Sequence, residues 1–396
     1  MNIFIIPSWY PNQTNPLSGV FIKEQIEAIA EIEENLLVLV SLWGHDDSLL
    51  PIKKLWHWPK KLHWIYKRKH CKKIISHKNF YEIYNVKGHW STRKPFRGLN
   101  RLIQINRENF KLANERFQRV DLIHAHVSFP AGFIASILCE EYDIPYILTE
   151  HMGPFPFSEL IDNGKLVPEV KEAFEKAKFC IAVSPTLASN ISSFGLPKPI
   201  VIPNMVDERM FYSGSPNNQK MIFLTLGGIS KQKGINHLLE AIALWDPSPY
   251  DFEFRIGGEG PMLESYKKQS KDLGIDDRVV WLGPVNRSKV PNLFRDSHVY
   301  VMPSLHETFG VVYAEAIASG KPIIATRCGG PESIVNEDNG KLVEIGNIQE
   351  LSLAMKEVAN KWKEYQPWLI RNDFEQRFSR KVVVRQLMSL YQQALT

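Results

Sequence analysis

Short apolar runs alternate with helix-periodic segments along most of the 396-residue chain. In the C-terminal half, Met221–Leu226, Phe252–Ile256, Arg278–Trp281, Val299–Met302, Pro322–Thr326 and Lys341–Glu344 read as strands. Between them, Ile235–Leu244 repeats apolar residues at helical spacing, and a polar helix runs to Leu273. A short helix is expected around Leu293, and an alanine-rich one over Val312–Ser319. The N-terminal half shows the same alternation. Ile3–Ile6 is a strand, Pro7–Gly19 a proline-bearing loop, and Ile22, Ile26, Ile29 and Ala30 mark one face of a helix. Further strands are expected at Leu36–Leu42, Val120–Ile123, Tyr146–Leu148 and Phe179–Val183. Asp46–Arg107 breaks the pattern and reads as an insertion, and Asp207–Lys220 reads as a linker. Repeated strand–turn–helix units predict an α/β chain built as two doubly wound, Rossmann-like domains facing each other across a cleft.

Composition narrows the class. At 44% hydrophobic and 23% charged residues, usage is ordinary for a globular protein, which excludes a disordered or low-complexity chain. No apolar run approaches the ~18 residues of a membrane span. Met1–Pro7 lacks a basic leader, so no signal peptide is expected. Cys71, Cys139, Cys180 and Cys328 form no CxxC pair, which points to neither disulfides nor a zinc site. A reduced, cytoplasmic enzyme is the expectation. The net charge of +5 matters through its placement: Lys53–Lys78 holds ten Lys/Arg and no acid, interleaved with Trp56, Trp58, Trp64 and Tyr66. Cations with interfacial aromatics suit the face of an anionic membrane. Nucleic acid and a plain solvated face are the weaker alternatives for the same stretch.

Missing motifs exclude several chemistries. Neither domain's first strand is followed by GxGxxG, because Gly258-Glu259-Gly260 meets Leu263 where a third glycine belongs. There is no GxxxxGK[ST] loop and no Asp-x-Asp clamp for a metal diphosphate. The strongest constellation runs from Pro303 to Glu332, leaving a strand and entering a helix. Gly310 permits close backbone approach there, and the first N–H groups of the helix make an anion site. Glu307 lies in the loop before that helix and Glu315 lies more than a turn inside it, so the two carboxylates suit sugar hydroxyls flanking a diphosphate. His124, His126 and His151 read as hydrogen-bonded or packing histidines in preference to metal ligands. Gly329-Gly330 fits an anion-binding turn and plain turn chemistry equally.

Glu307 to Glu315 is an E-x7-E pattern, and its surroundings resemble the retaining glycosyltransferase family 4 of the GT-B fold. Leu226-Gly227-Gly228-Ile229 with Lys233-Gly234, Gly258-Glu259-Gly260-Pro261, Leu282–Val285 and Gly329-Gly330-Pro331-Glu332 extend the likeness. So do Asp121–His126, Thr149-Glu150-His151 and Val201–Asn204. The opening Pro7–Pro11 and Ser18–Phe21 resemble bacterial polysaccharide transferases. The resemblance implies an N-terminal acceptor-binding domain, 1–206, joined by a returning helix at 376–396, and a donor-binding domain over 207–375. It implies a metal-independent transferase without cofactor. Its site residues would be His151, Glu307 and Lys233 as catalytic groups, with Gly19, Gly228, Lys231, Gly258, Val285, Phe309, Gly310, Val311 and Glu315 around the donor. Glu315 would hold the ribose, Glu307 the transferred sugar, and Lys233 the departing diphosphate. Gly228 departs from the family, which usually places Arg there, and Lys231 is expected to supply the second cation. The implied partners are a nucleotide sugar, a lipid-linked saccharide acceptor and, through Lys53–Lys78, the inner face of the cell membrane. A nucleotide-sugar epimerase and a weakly active sugar-nucleotide binder are the rivals.

Overall fold

The computed structural model describes residues 1–12, 15–43, 72–85, 96, 98–117, 119–214, 216, 220–245 and 252–396. They form two compact units: Met1–Val183 with Leu187–Ile202 and Val384–Thr396, and Ser184–Thr186 with Pro203–Val383. The division falls at Ile202/Pro203 and Val383/Val384, a few residues away from the boundaries expected at 206 and 376.

The first unit carries β1 (Asn2–Pro7), β2 (Leu37–Leu42), β3 (Lys72–Ser76), β4 (Phe80–Asn85), β5 (Leu122–His126), β6 (Tyr146–Glu150), a small hairpin of β7 (Ile161–Asp162) and β8 (Lys165–Leu166), then β9 (Phe179–Ala182) and β10 (Ile200–Val201). The main sheet runs β10-β9-β6-β5-β1-β2-β4-β3 and is parallel throughout except at the β3–β4 pair. β5 and β6 are buried at every position, as strands covered on both faces must be.

The expectation of an insertion over Asp46–Arg107 is corrected here. Phe80–Asn85 pairs in parallel with β2, from Val38↔Phe80 to Leu42↔Tyr84, and so belongs to the sheet itself. The helix Leu99–Arg116 buries Leu102, Asn106, Asn109, Phe110 and Ala113 along one face. Two of those five are asparagines, which hid the apolar stripe. Asn106 accepts from the Ser41 hydroxyl at 2.6 Å, and the Asn109 amide N–H donates to Ile83 O at 3.2 Å, so both side chains are engaged inside the unit. Of the basic stretch, residues 53–71 lie outside the described residues, and 72–78 form β3 and the turn after it.

The second unit carries β11 (Met221–Leu226), β12 (Phe252–Gly257), β13 (Val279–Gly283), β14 (Val299–Met302), β15 (Ile323–Thr326) and β16 (Gly340–Val343), ordered β13-β12-β11-β14-β15-β16 and all parallel. The order reverses between β11 and β14, and crevices at such a switch point are where doubly wound sheets bind ligands. The expected linker is also corrected at its start. Phe211 is buried against Phe294, and the Arg371 guanidinium donates to Phe211 O and Glu208 O, so these residues are docked on the second unit. The last helix, Arg380–Ala394, buries Tyr391 in the first unit, its hydroxyl 2.7 Å from His124 Nδ1.

Candidate active site

The two strands at the switch point of the second unit each end in a loop that carries a charged group. After β11 the chain turns through Gly227–Ser230 into a single 3-10 turn, Lys231–Lys233, closed by Gly234. Gly234 sits at φ 63°, and a Cβ there would lie 1.9 Å from Pro303 O, so only glycine lets the two loops touch. Backbone and side chain then stitch them together: Leu305 N donates to Gln232 O at 2.7 Å, and Gln232 Nε2 to His306 O at 2.9 Å. This places Lys233 Nζ 2.6 Å from Glu307 Oε1, which also accepts from the Ser304 hydroxyl at 2.7 Å. The Glu307 backbone is pinned from the other side, with its N–H on Cys328 O and its carbonyl receiving Gly330 N–H. The Gly329-Gly330 turn thus holds Glu307 in place, a structural duty that its sequence alone left open.

Gly310 follows at φ 83° and caps the helix Val311–Ala318. Its missing side chain makes room for the Tyr313 ring, which a Cβ would approach to 2.4 Å. Tyr313 in turn donates its hydroxyl to Met302 O at 2.9 Å, tying the helix to the end of β14. Burial raises the Tyr313 phenol well above its ordinary pKa, with Glu307 adding to the shift, so it stays a neutral donor. The Phe309 side chain is buried against Phe378, so its ring is turned into the core of the unit. The first N–H groups of any helix lack intrahelical acceptors. With the helix dipole they present positive potential at Gly310–Val312, beside Glu307 and Lys233.

Glu315 is buried at 2% exposure, one turn beyond Val311. Its carboxylate pairs with the Arg287 guanidinium, which lies 5.6 Å over the Phe211 ring. Sequence reasoning missed Arg287. It stands two residues past the segment Leu282–Val285, at the start of the 3-10 turn Arg287–Lys289, and the signal for it is a buried acid needing a cation from a neighbouring strand end. Val285 is half-buried in that loop. Its Cγ2 lies 2.8 Å from where a Cβ on Gly257 would stand, just before Gly258 at φ 142°. Lys231 is exposed at the start of its turn, and a Cβ on Gly228 would meet no atom within 4 Å. Lys233, Ser304, Glu307, Gly310, Val311 and Glu315 are thus gathered at one sheet edge.

Gly19 and His151 belong to the first unit, the one at a helix start and the other at the end of β6. Gly19, at φ 62°, caps the helix Val20–Ile32 with its Cα against Trp9 O. His151 follows β6, its Nε2 3.1 Å from His126 Nδ1 and its ring 4.9 Å from that of Phe21. Glu150 fixes this turn: its Oε1 accepts from His151 N and Met152 N, and its Oε2 from Ser128 N. Burial raises the Glu150 carboxyl above its usual pKa, and those hydrogen bonds oppose the shift. His124 lies between Tyr391 and Thr149, 2.8 Å from the Thr149 hydroxyl, and burial pushes it down to about 3. Among the described residues no three His, Cys, Asp or Glu side chains are arranged to hold a metal. Val127, directly after His126, sits at φ 76°, a strained conformation for a β-branched residue.

With this geometry in place, similarity to known proteins supplies the family. The description "Glycosyl transferases group 1" matches residues 207–372, and "Glycosyltransferase Family 4" matches residues 53–209. An uncharacterised glycosyltransferase of Methanocaldococcus jannaschii is 29% identical over 305 residues, covering 76% of this chain and 82% of that one. TuaC of Bacillus subtilis, named for teichuronic acid biosynthesis, is 24% identical over 380 residues, 93% of this chain and 90% of its own. Among solved structures, Anabaena HepE in complex with UDP superposes with a TM-score of 0.71 at 19% identity, covering 99% of this chain and 100% of HepE. Within the described residues no helix is long and apolar enough to cross a membrane. Two parallel-sheet units, a glycine-capped helix bracketed by Glu307 and Glu315, and matches that run from residue 53 to 372 lead to one conclusion: the chain belongs to the family-4 glycosyltransferases and has their GT-B fold.

Proposed function

We propose that this transferase moves a hexose-type sugar from a nucleoside-diphosphate sugar to a lipid-linked saccharide, with retention of configuration, in cell-surface polysaccharide assembly. The observation that carries the reading is Lys233 Nζ, 2.6 Å from Glu307 at the tip of the helix Val311–Ala318. A nucleotide sugar already holds its leaving group, so the enzyme's task is to stabilise charge on the departing diphosphate and to orient an acceptor hydroxyl. Lys233 and the N–H groups at Gly310–Val312 place positive potential where that charge grows, and they do so without a metal. Glu307, held by Lys233 and Ser304, faces the sugar, and Glu315, held by Arg287, faces the ribose. His151 of the first unit acts at the sugar, and Gly19 lets backbone approach the phosphates. HepE bound to UDP supports a uridine donor as the first to test, and TuaC supports a surface-polymer acceptor. The basic stretch Lys53–Lys78 is assigned to the cytoplasmic membrane face.

The test is donor turnover. A thermal-shift screen of UDP-, GDP-, ADP- and dTDP-sugars identifies the donor, which at a hundred times its Kd stabilises by ~2.7 kcal/mol. Nucleoside diphosphate should then appear only when acceptor is present, at a rate unchanged by EDTA. Gly228, lacking the family's arginine, favours one second reading, a weakly active sugar-nucleotide binder. That protein would bind donor and release no diphosphate under any acceptor.

A further inference from the structure

Glu307 takes two donors on one oxygen. Lys233 Nζ stands 2.6 Å from Oε1 and the Ser304 hydroxyl 2.7 Å from the same atom, and no hydrogen bond or ion pair among the described residues reaches Oε2. The last torsion of a glutamate is broad and two-fold, so a carboxylate with one donor can turn and exchange its oxygens. Lys233 alone leaves that freedom, because an ammonium is a point charge on a flexible stem and follows either oxygen. Ser304 removes it. The residue is fully buried, its carbonyl accepts from the Thr326 hydroxyl at the end of β15, and Pro303 before it packs on Gly234 in the loop after β11. A short side chain anchored at both neighbouring strand ends offers its proton from one direction only.

An ionised carboxylate oxygen accepts hydrogen bonds and donates none. With Oε1 occupied, Oε2 can be satisfied by a hydroxyl but not by an ether or a C–H, and a site built for a hydroxyl rejects the analogue that lacks it. We infer that Ser304 is a positioning residue that sets sugar selectivity: by sharing Oε1 with Lys233 it commits Oε2 to one hydroxyl of the transferred sugar. The donor class is then a sugar with a free hydroxyl at that carbon, and sugars deoxygenated or substituted there are refused. The inference rests on the placement of Glu307 at the transferred sugar. It adds which oxygen acts, which residue commits it and which sugars are excluded.

The experiment uses the full-length protein with UDP-glucose, GDP-mannose, ADP-glucose and dTDP-glucose, each beside analogues in which fluorine replaces one sugar hydroxyl at a time. Dissociation constants come from calorimetry, which needs no acceptor. In the parent protein one position should stand out, its fluoro analogue binding about ten- to 150-fold more weakly, the worth of one charge-assisted hydrogen bond. Ser304→Ala should cut that discrimination to under about threefold, while affinity for the free nucleoside diphosphate stays within about twofold of the parent. If the alanine protein does not fold, Ser304→Cys, close in size and a weak donor, should give the same result. Undiminished discrimination in the Ser304 variant, an equal loss of affinity for the free diphosphate, or no position standing out in the parent would overturn the inference. Discrimination that survives Glu307→Ala, or no affinity for any of the four donors, would instead sink the placement of Glu307 at a donor sugar on which the inference rests.

Discussion

Replacing Lys233 by methionine keeps the aliphatic stem and removes the charge that meets Glu307 at 2.6 Å. The pair is partly shielded, with side-chain exposures of 24% and 10%, so its field is screened less than that of a surface pair. A charge-assisted hydrogen bond to a phosphate oxygen contributes about 1.5–3 kcal/mol. A charge about 6 Å from the leaving phosphate gives roughly 3 kcal/mol at an effective dielectric of about 20. Both routes predict a fall in kcat/KM of about ten- to 150-fold, since ~1.4 kcal/mol is tenfold. Because phosphate charge grows as the glycosidic bond breaks, kcat should suffer more than donor KM. The assay is initial-rate release of nucleoside diphosphate, with thermal unfolding measured alongside. The stability loss should stay under about 2 kcal/mol, because Glu307 keeps the Ser304 hydroxyl and partial solvent access. Glu307→Gln completes a double-mutant cycle, in which a contacting pair should couple by more than about 0.5 kcal/mol. A folded Lys233→Met protein that retains kcat/KM within about twofold refutes the assignment of Lys233 to the leaving group.

Four other outcomes are expected. Gly310→Ala forces a left-handed alanine into the Tyr313 ring, and should cost about 1–3 kcal/mol of stability and raise donor KM, read by calorimetry and initial rates. Gly228→Arg enters open space and restores the missing cation, so kcat/KM should rise by about tenfold, whereas Lys231→Ala should lower it if that lysine supplies the second charge. His298 accepts from Ile222 N at 3.0 Å, and burial, with Lys321 adding, pushes it down to about 4, so the unfolded chain binds the extra proton below about pH 6.5. Stability should therefore fall between about pH 6.5 and 4, and His298→Gln should flatten the slope of Tm against pH by a few degrees, on the order of 1–2 kcal/mol. Anionic liposomes should retain the protein at low salt and release it at high salt, and neutralising Lys60, Lys61, Lys67, Arg68 and Lys69 should abolish retention; binding indifferent to salt would exclude the membrane assignment.

Local pattern alone determined the alternation of strands and helices, the fold class, the glycine-marked turns and the pair Glu307 and Glu315, because strand and helix periodicities and turn chemistry operate within a few residues. What the tertiary structure decided were partnerships between strand ends distant in sequence. Lys233 meets Glu307 from 74 residues away because β11 and β14 are neighbours at the switch point. Arg287 reaches Glu315 from the loop after β13, across 28 residues. His126 reaches His151 because β5 pairs with β6. The strand Phe80–Asn85 and the helix behind it were concealed for the same reason: Asn106 and Asn109 look solvent-facing until Ser41 and Ile83, on β2 and β4, hydrogen-bond to them inside. A parallel sheet joins strands only through long crossovers, so which loops become adjacent is fixed by strand order, and strand order is a property of the packed core that no local run of residues encodes.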